Sequence, residues 1–176
     1  MATYDAQLEN CLQTLEKGDY DHCLQLAEEL QANYPDAAEA FHVEAMAHQF
    51  RFNWKESIQA LDRAIDNAPY DAALYNLRAF AKMNLSELDA ADQDLTEAIE
   101  LEDLEAAHRN RVLLYILQEK FDEAAQYLYD RLVANPDEVD NWIMMGDLMK
   151  RVGLEEKAET YFEEARRRDP NHPVFA

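Results

Sequence analysis

Apolar residues return along this chain at helical spacing, three or four positions apart, and the whole pattern then repeats after about 34 residues. In each period a first column of mostly large residues is followed four residues later by a mostly small one: Gln7 and Cys11, Phe41 and Ala45, Tyr75 and Ala79, His108 and Val112, Trp142 and Gly146. Residues four apart share a face of a helix, so each pair marks one helical stripe. Twelve positions further on a second small column reads Cys23, Ser57, Ala91, Ala124 and Ala158, and one turn later come Ala27, Leu61, Leu95, Leu128 and Phe162. Small residues on both stripes predict two antiparallel helices whose backbones cross closely. Between the helices stand Tyr20, Trp54, Leu88 and Phe121, with Gly18 and Gly153 as turn residues in the first and last periods. Pro35, Pro69, Pro136 and Pro170 close four of the five periods, and Asp103 stands in that place in the third. Proline cannot continue a helix and turns the residue before it away from helical geometry, so each period reads as helix, turn, helix, stop.

Five such periods, at about residues 4–37, 38–71, 72–104, 105–138 and 139–172, predict an all-α chain of about ten helices. A helix pair of this length buries too little apolar surface alone, so stability comes from stacking on its neighbours. The columns resemble the tetratricopeptide repeat, over roughly residues 4 to 172. The last period carries the resemblance best, with Trp142, Met145, Gly146, Gly153, Ala158, Phe162, Ala165 and Pro170 in the family's order and spacing. The resemblance implies a right-handed superhelical solenoid of antiparallel helix pairs, a single domain over residues 1–176, and a binding surface on the inner face of the first helices. Gln7 and Asn10 are polar where the family has an aromatic residue and a leucine, as suits an end unit with no preceding neighbour.

Three glycines and five prolines in 176 residues leave little room for long loops, which supports one elongated domain without a linker. No run of about 18 apolar residues occurs, so no membrane span is expected. Residues 1–10 lack a basic stretch leading into an apolar core, and the expectation is a cytoplasmic protein without a signal peptide. The net charge of −21 is uneven, with eight acids and one base in the first period but eight acids and six bases in the last. Such a field repels nucleic acid and draws in a partner with basic flanks. It also serves as a solvating surface, or as an adaptation to a high-salt habitat, and the charge alone does not choose among these.

Little in the sequence points to catalysis, and the expectation is a protein that is not an enzyme and binds no cofactor or metal. Ser57 sits in the small column and Ser86 in a turn, neither beside a base. Glycines at 18, 146 and 153 build no phosphate-cradling loop. Glu39 with His42 and Glu105 with His108 have the Glu-x-x-His spacing of carboxylate-bridged metal sites, yet they stand two periods apart and out of phase by one residue. Cys11 and Cys23 occupy the two facing small columns, which makes them small buried residues or, under strain, a redox pair.

Counting from the small columns places further residues on the inward face of the first helices: Leu12, His42, Met46, Phe50, Asn76, Phe80, Met83, Arg109, Leu113, Ile116, Leu117, Lys150 and Arg151. Other side chains already fill the packing columns, so this mostly apolar set reads as a peptide-binding groove, with Phe80 as an aromatic anchor and Met46 and Met83 as adaptable contacts. One subset of the family the chain resembles forms a clamp that grips a peptide's terminal carboxylate with inward lysine, asparagine and arginine. Leu8, Leu12, Val43, Ala73 and Leu77 hold those places here, so that clamp is absent. The expected role is a scaffold or adaptor, monomeric or dimeric, whose groove takes an apolar or amphipathic peptide or helix of a partner protein. The alternative is a self-associating structural protein.

Overall fold

The protein is described by a computed structural model over residues 3–175. Ten α-helices occur among these residues, alternately 13 and 14 residues long: α1 Tyr4–Glu16, α2 Tyr20–Asn33, α3 Ala38–Phe50, α4 Trp54–Asn67, α5 Ala72–Asn84, α6 Leu88–Leu101, α7 Glu105–Leu117, α8 Phe121–Ala134, α9 Val139–Arg151 and α10 Glu155–Arg168. A single 3-10 turn, Pro173–Phe175, follows. Each period supplies one pair, and Tyr20, Trp54, Leu88 and Phe121 are the first residues of the second helices rather than loop residues. The chain forms two compact units, the first ending at Arg111 and the second beginning at Val112, within α7.

All five turns inside the pairs use the same backbone device. Gly18, Phe52, Ser86, Glu119 and Gly153 have φ of 76°, 60°, 61°, 59° and 79°. In each turn the amide after this residue donates to a carbonyl five residues back, as Asp19 does to Thr14 at 3.2 Å and Leu154 to Met149 at 2.9 Å. This is the hydrogen-bonding scheme that closes a helix with one left-handed residue. Glycine adopts that geometry freely, whereas an L side chain in it costs about 1–2 kcal/mol. Three of the five turns carry that cost.

In the first unit the small columns are the crossing points. Cys11, Ala45 and Ala79 on the first helices and Cys23, Ser57 and Ala91 on the second are all 0% exposed. The Cys23 thiol donates to the Cys11 carbonyl at 3.5 Å, and both cysteines are free. Burial pushes the Cys23 thiol up to about 11, helped by Cys11 and Asp19, and raises Cys11 as well. Thiols held protonated in this way are poor nucleophiles, so the pair serves as packing. Around them lie a cluster of Leu15, Leu30, Ala40, Val43 and Ala47, and a second of Phe41, Ala60, Leu61, Ala64, Ile65 and Leu74.

The third period departs from apolar packing. Asp94, 5% exposed, receives Arg78 through two bonds of 2.9 and 2.8 Å and Lys82 at 2.7 Å. Arg78 also reaches Asp62 at 2.6 Å, and Arg111 pairs with Asp92 and with Thr96 at 2.9 Å. A buried carboxylate is tolerated when its oxygens are filled by charged donors in this way. Asp103 is also accounted for. In the third and fifth periods the large column reaches back to the preceding proline, Tyr75 donating to the Pro69 carbonyl at 3.1 Å and Trp142 to that of Pro136; in the fourth the His108 ring meets the Asp103 carboxylate instead.

The second unit repeats the scheme. Val112, Ala124, Leu128, Leu132, Met145 and Leu148 form its core, with Tyr115, Phe121, Trp142 and Tyr161 packed around them. Trp142 donates to the Pro136 carbonyl at 2.8 Å, and the Arg168 guanidinium lies 4.1 Å above its ring. Gly146 is needed for space: a Cβ there would stand 2.6 Å from the Phe162 ring.

Substitutions at the crossings test this register. Ala91→Glu places an unpaired charge at a fully buried site and is expected to lower stability by at least about 3 kcal/mol in urea unfolding. Ser57→Ala should do the reverse, by about 1 kcal/mol, because the Ser57 hydroxyl is buried without a hydrogen-bond partner among the described residues. Titration with a disulfide reagent at pH 8 should find neither thiol in the native protein and both after unfolding; fast native reaction of either would refute their packing role.

Candidate functional site

The structure separates the inward residues into three groups. Asn76 and Met83 belong to the interior, 8% and 4% exposed. Asn76 accepts from Asn110 at 2.8 Å, and Met83 is buried in the last turn of α5, so neither offers a ligand the side chain that the helical count suggests. Leu12 and Met46 are partly buried against the first core cluster, and Ile116 is placed likewise in the second unit. Phe50, Leu113 and Leu117 remain well exposed, at 53%, 38% and 47%, and Arg109, Lys150 and Arg151 are exposed as well.

His42, half-buried on α3, is held below the usual histidine range chiefly by burial, with Asp71 and Glu39 acting in the opposite sense. It is therefore uncharged at neutral pH. Among the described residues no group of three or more histidine, cysteine, aspartate or glutamate side chains is placed to hold a metal ion. Glu39 accepts instead from the Tyr4 hydroxyl at 2.9 Å.

An apolar hollow lies wholly in the first unit. Met46, Gln49 and Phe50 of α3, Phe52 in the following turn, Trp54 at the start of α4, and Leu77 and Phe80 of α5 enclose about 310 Å³. Gln49 fastens the floor by donating to the Leu77 carbonyl at 3.0 Å. Trp54 stands edge-on to both Phe52 and Phe80, with ring centroids 5.8 Å apart in each case. Phe50 stacks on Tyr20 at 5.3 Å with rings nearly parallel. Met46, Phe50 and Phe80 are thus brought together as the helical spacing predicts. Phe52 and Trp54 were beyond it, because Phe52 sits in the turn, where helical periodicity assigns no face, and Trp54 is the first residue of α4, outside the first-helix count. The available signal was compositional: Phe50, Phe52 and Trp54 crowd three aromatic residues into five positions.

In the second unit, Leu113 and Leu117 are one turn apart on α7, and Lys150 and Arg151 end α9. Among the described residues, no helix is long and apolar enough to cross a membrane.

Comparison with known proteins places this architecture. Residues 139–172 match the tetratricopeptide repeat family. No curated protein sequence matches the chain. Among solved structures it is similar to TTC0263, a thermophilic tetratricopeptide-repeat protein of Thermus thermophilus, with 19% identity over 98% of this chain and 95% of that one and a TM-score of 0.78. It is similar to MamA at 19% identity over 97% and 96% of the two chains, with a TM-score of 0.74. YrrB, described as a tetratricopeptide-repeat protein with an unusual peptide-binding site, is 16% identical over 96% and 88% of the chains, with a TM-score of 0.67. The last helix pair thus carries the tetratricopeptide-repeat signature, and the chain as a whole shares the fold of solved tetratricopeptide-repeat solenoids.

Proposed function

We propose that this protein is a non-enzymatic scaffold that binds an apolar or amphipathic peptide or helix of a partner protein on the inward faces of its first helices. The observation that carries this reading is the 310 Å³ apolar hollow, together with a Phe50 that is 53% exposed although the core beneath is already filled. Exposed aromatic rings around a concavity are the usual anchors of a protein interface. Similarity to YrrB supports the class of ligand, since that protein is described by its peptide-binding site. The surface charge favours a partner with basic flanks. Two free, buried thiols suit a reducing compartment such as the cytoplasm. Mutual repulsion between copies carrying −21 favours a monomer or a dimer over open-ended assembly.

The test is affinity capture from lysate of the source organism, comparing the native chain with a Phe80→Asp, Leu113→Asp double variant of unchanged helicity. Capture of a partner by the native chain and its loss from the variant is the expected result. Equal capture by both, or recovery only of further copies of the same chain, would refute the reading in favour of a self-associating structural protein.

A further inference from the structure

The turn between α3 and α4 holds a feature that packing does not explain. Phe52 occupies the left-handed column with φ of 60°, at the place where the first and last pairs use glycine. It is 75% exposed, so no burial offsets the unfavourable backbone. A bulky residue in this region is a conformational outlier, and strain of this kind persists where a side chain has a task. Ser86 and Glu119 share the backbone conformation, but Phe52 alone of the five places an aromatic ring there, and that ring walls the hollow.

Charge indicates what enters. Residues 38–104 carry fourteen carboxylates and five bases. Four of those bases are committed: Arg51 to Asp21, Arg78 to Asp94 and Asp62, Lys82 to Asp94, and Arg63 over the Phe41 ring at 4.1 Å. Only Lys55 has no acidic or aromatic partner among the described residues. The field of this unit therefore attracts positive charge, while the hollow itself is lined by apolar groups and one glutamine whose amide N–H is already bonded. Its volume is at the lower end for ligand pockets and suits one large side chain rather than a whole small molecule.

Resting on the scaffold reading above, we infer that the hollow bounded by Phe50, Phe52, Trp54 and Phe80 is an anchor subsite for a single aromatic, leucine or methionine side chain presented by a lysine- or arginine-rich segment of the partner, and that Phe52 determines its specificity. The anchor enters against the Phe52 and Phe80 rings with Trp54 between them. The basic flanks remain in solvent, where they meet the carboxylates of the unit. A second copy of this chain is disfavoured as occupant by its own charge.

Phe52→Gly tests this without endangering the fold, because glycine fits the backbone of that turn, as it does at Gly18 and Gly153. The probe is a random peptide library displayed on phage and selected on the native protein, with selected peptides remeasured on both forms. Enriched peptides are expected to share one large apolar residue flanked by lysine or arginine. They should bind Phe52→Gly at least about tenfold more weakly although its melting temperature is not lowered. In a Trp142→Phe background Trp54 is the sole tryptophan, and tryptophan-free peptides should shift its emission. Peptides that bind native protein and Phe52→Gly equally, but not the Phe80→Asp, Leu113→Asp variant, overturn the Phe52 subsite and leave the scaffold reading standing. Enrichment of acidic or uncharged peptides overturns the basic partner. If no peptide is enriched, or if those enriched bind all three forms alike, both readings fall.

Discussion

Everything in this structure depends on how closely two helices of a pair cross. At that crossing stand two small side chains, such as Ala79 with Ala91 or Cys11 with Cys23, and in the first unit each of these is wholly buried. Small residues let the backbones approach, and the larger apolar residues a turn away then interlock. Gly146 shows how little slack there is, since even a methyl group would meet the Phe162 ring at 2.6 Å. Because the crossing fixes the spacing, all five pairs need the same short connection, and all five use one residue in the left-handed region. The three turns without glycine accept backbone strain rather than alter the turn. In energetic terms the crossing outweighs the turn.

Departures from the repeating pattern are matched by local chemistry. Where proline is replaced by Asp103, its carboxylate meets His108 from the column that elsewhere sends a tyrosine or tryptophan to the proline carbonyl. Where the second helix carries Asp94 inside the structure, Arg78 and Lys82 fill its oxygens. These compensations consume most of the basic side chains of the third period and leave its remaining carboxylates facing solvent. The acidity of the surface is thus partly a consequence of how the interior was satisfied.

The functional reading follows from what packing leaves over. Residues in the small and large columns are committed to the core and to the closing prolines. What stays free is a set of apolar groups on the first helices and at the α3–α4 turn, gathered in the first unit around Trp54. Their exposure is not needed for stability, and at Phe52 it coincides with a backbone geometry that a phenylalanine resists. On the proposed reading, recognition and folding draw on different residues of the same helices.

Helix number, pairing and the crossing residues were legible in the sequence, because each depends on residue size and spacing along one or two turns of helix. Met46, Phe50 and Phe80 were legible for the same reason: helical geometry fixes which side of a helix a residue occupies. Depth was not. Asn76 and Met83 share that side yet are buried, since burial is set by the neighbouring helix and not by the helix that carries the residue. Phe52 and Trp54 needed the tertiary structure for a different reason: Phe52 lies in a turn, which has no period, Trp54 opens the next helix, and only the approach of α5 makes these two aromatic residues the wall of a pocket. Sequence periodicity determined the array and its packing; contact between successive helices decided which apolar residues became core and which stayed exposed.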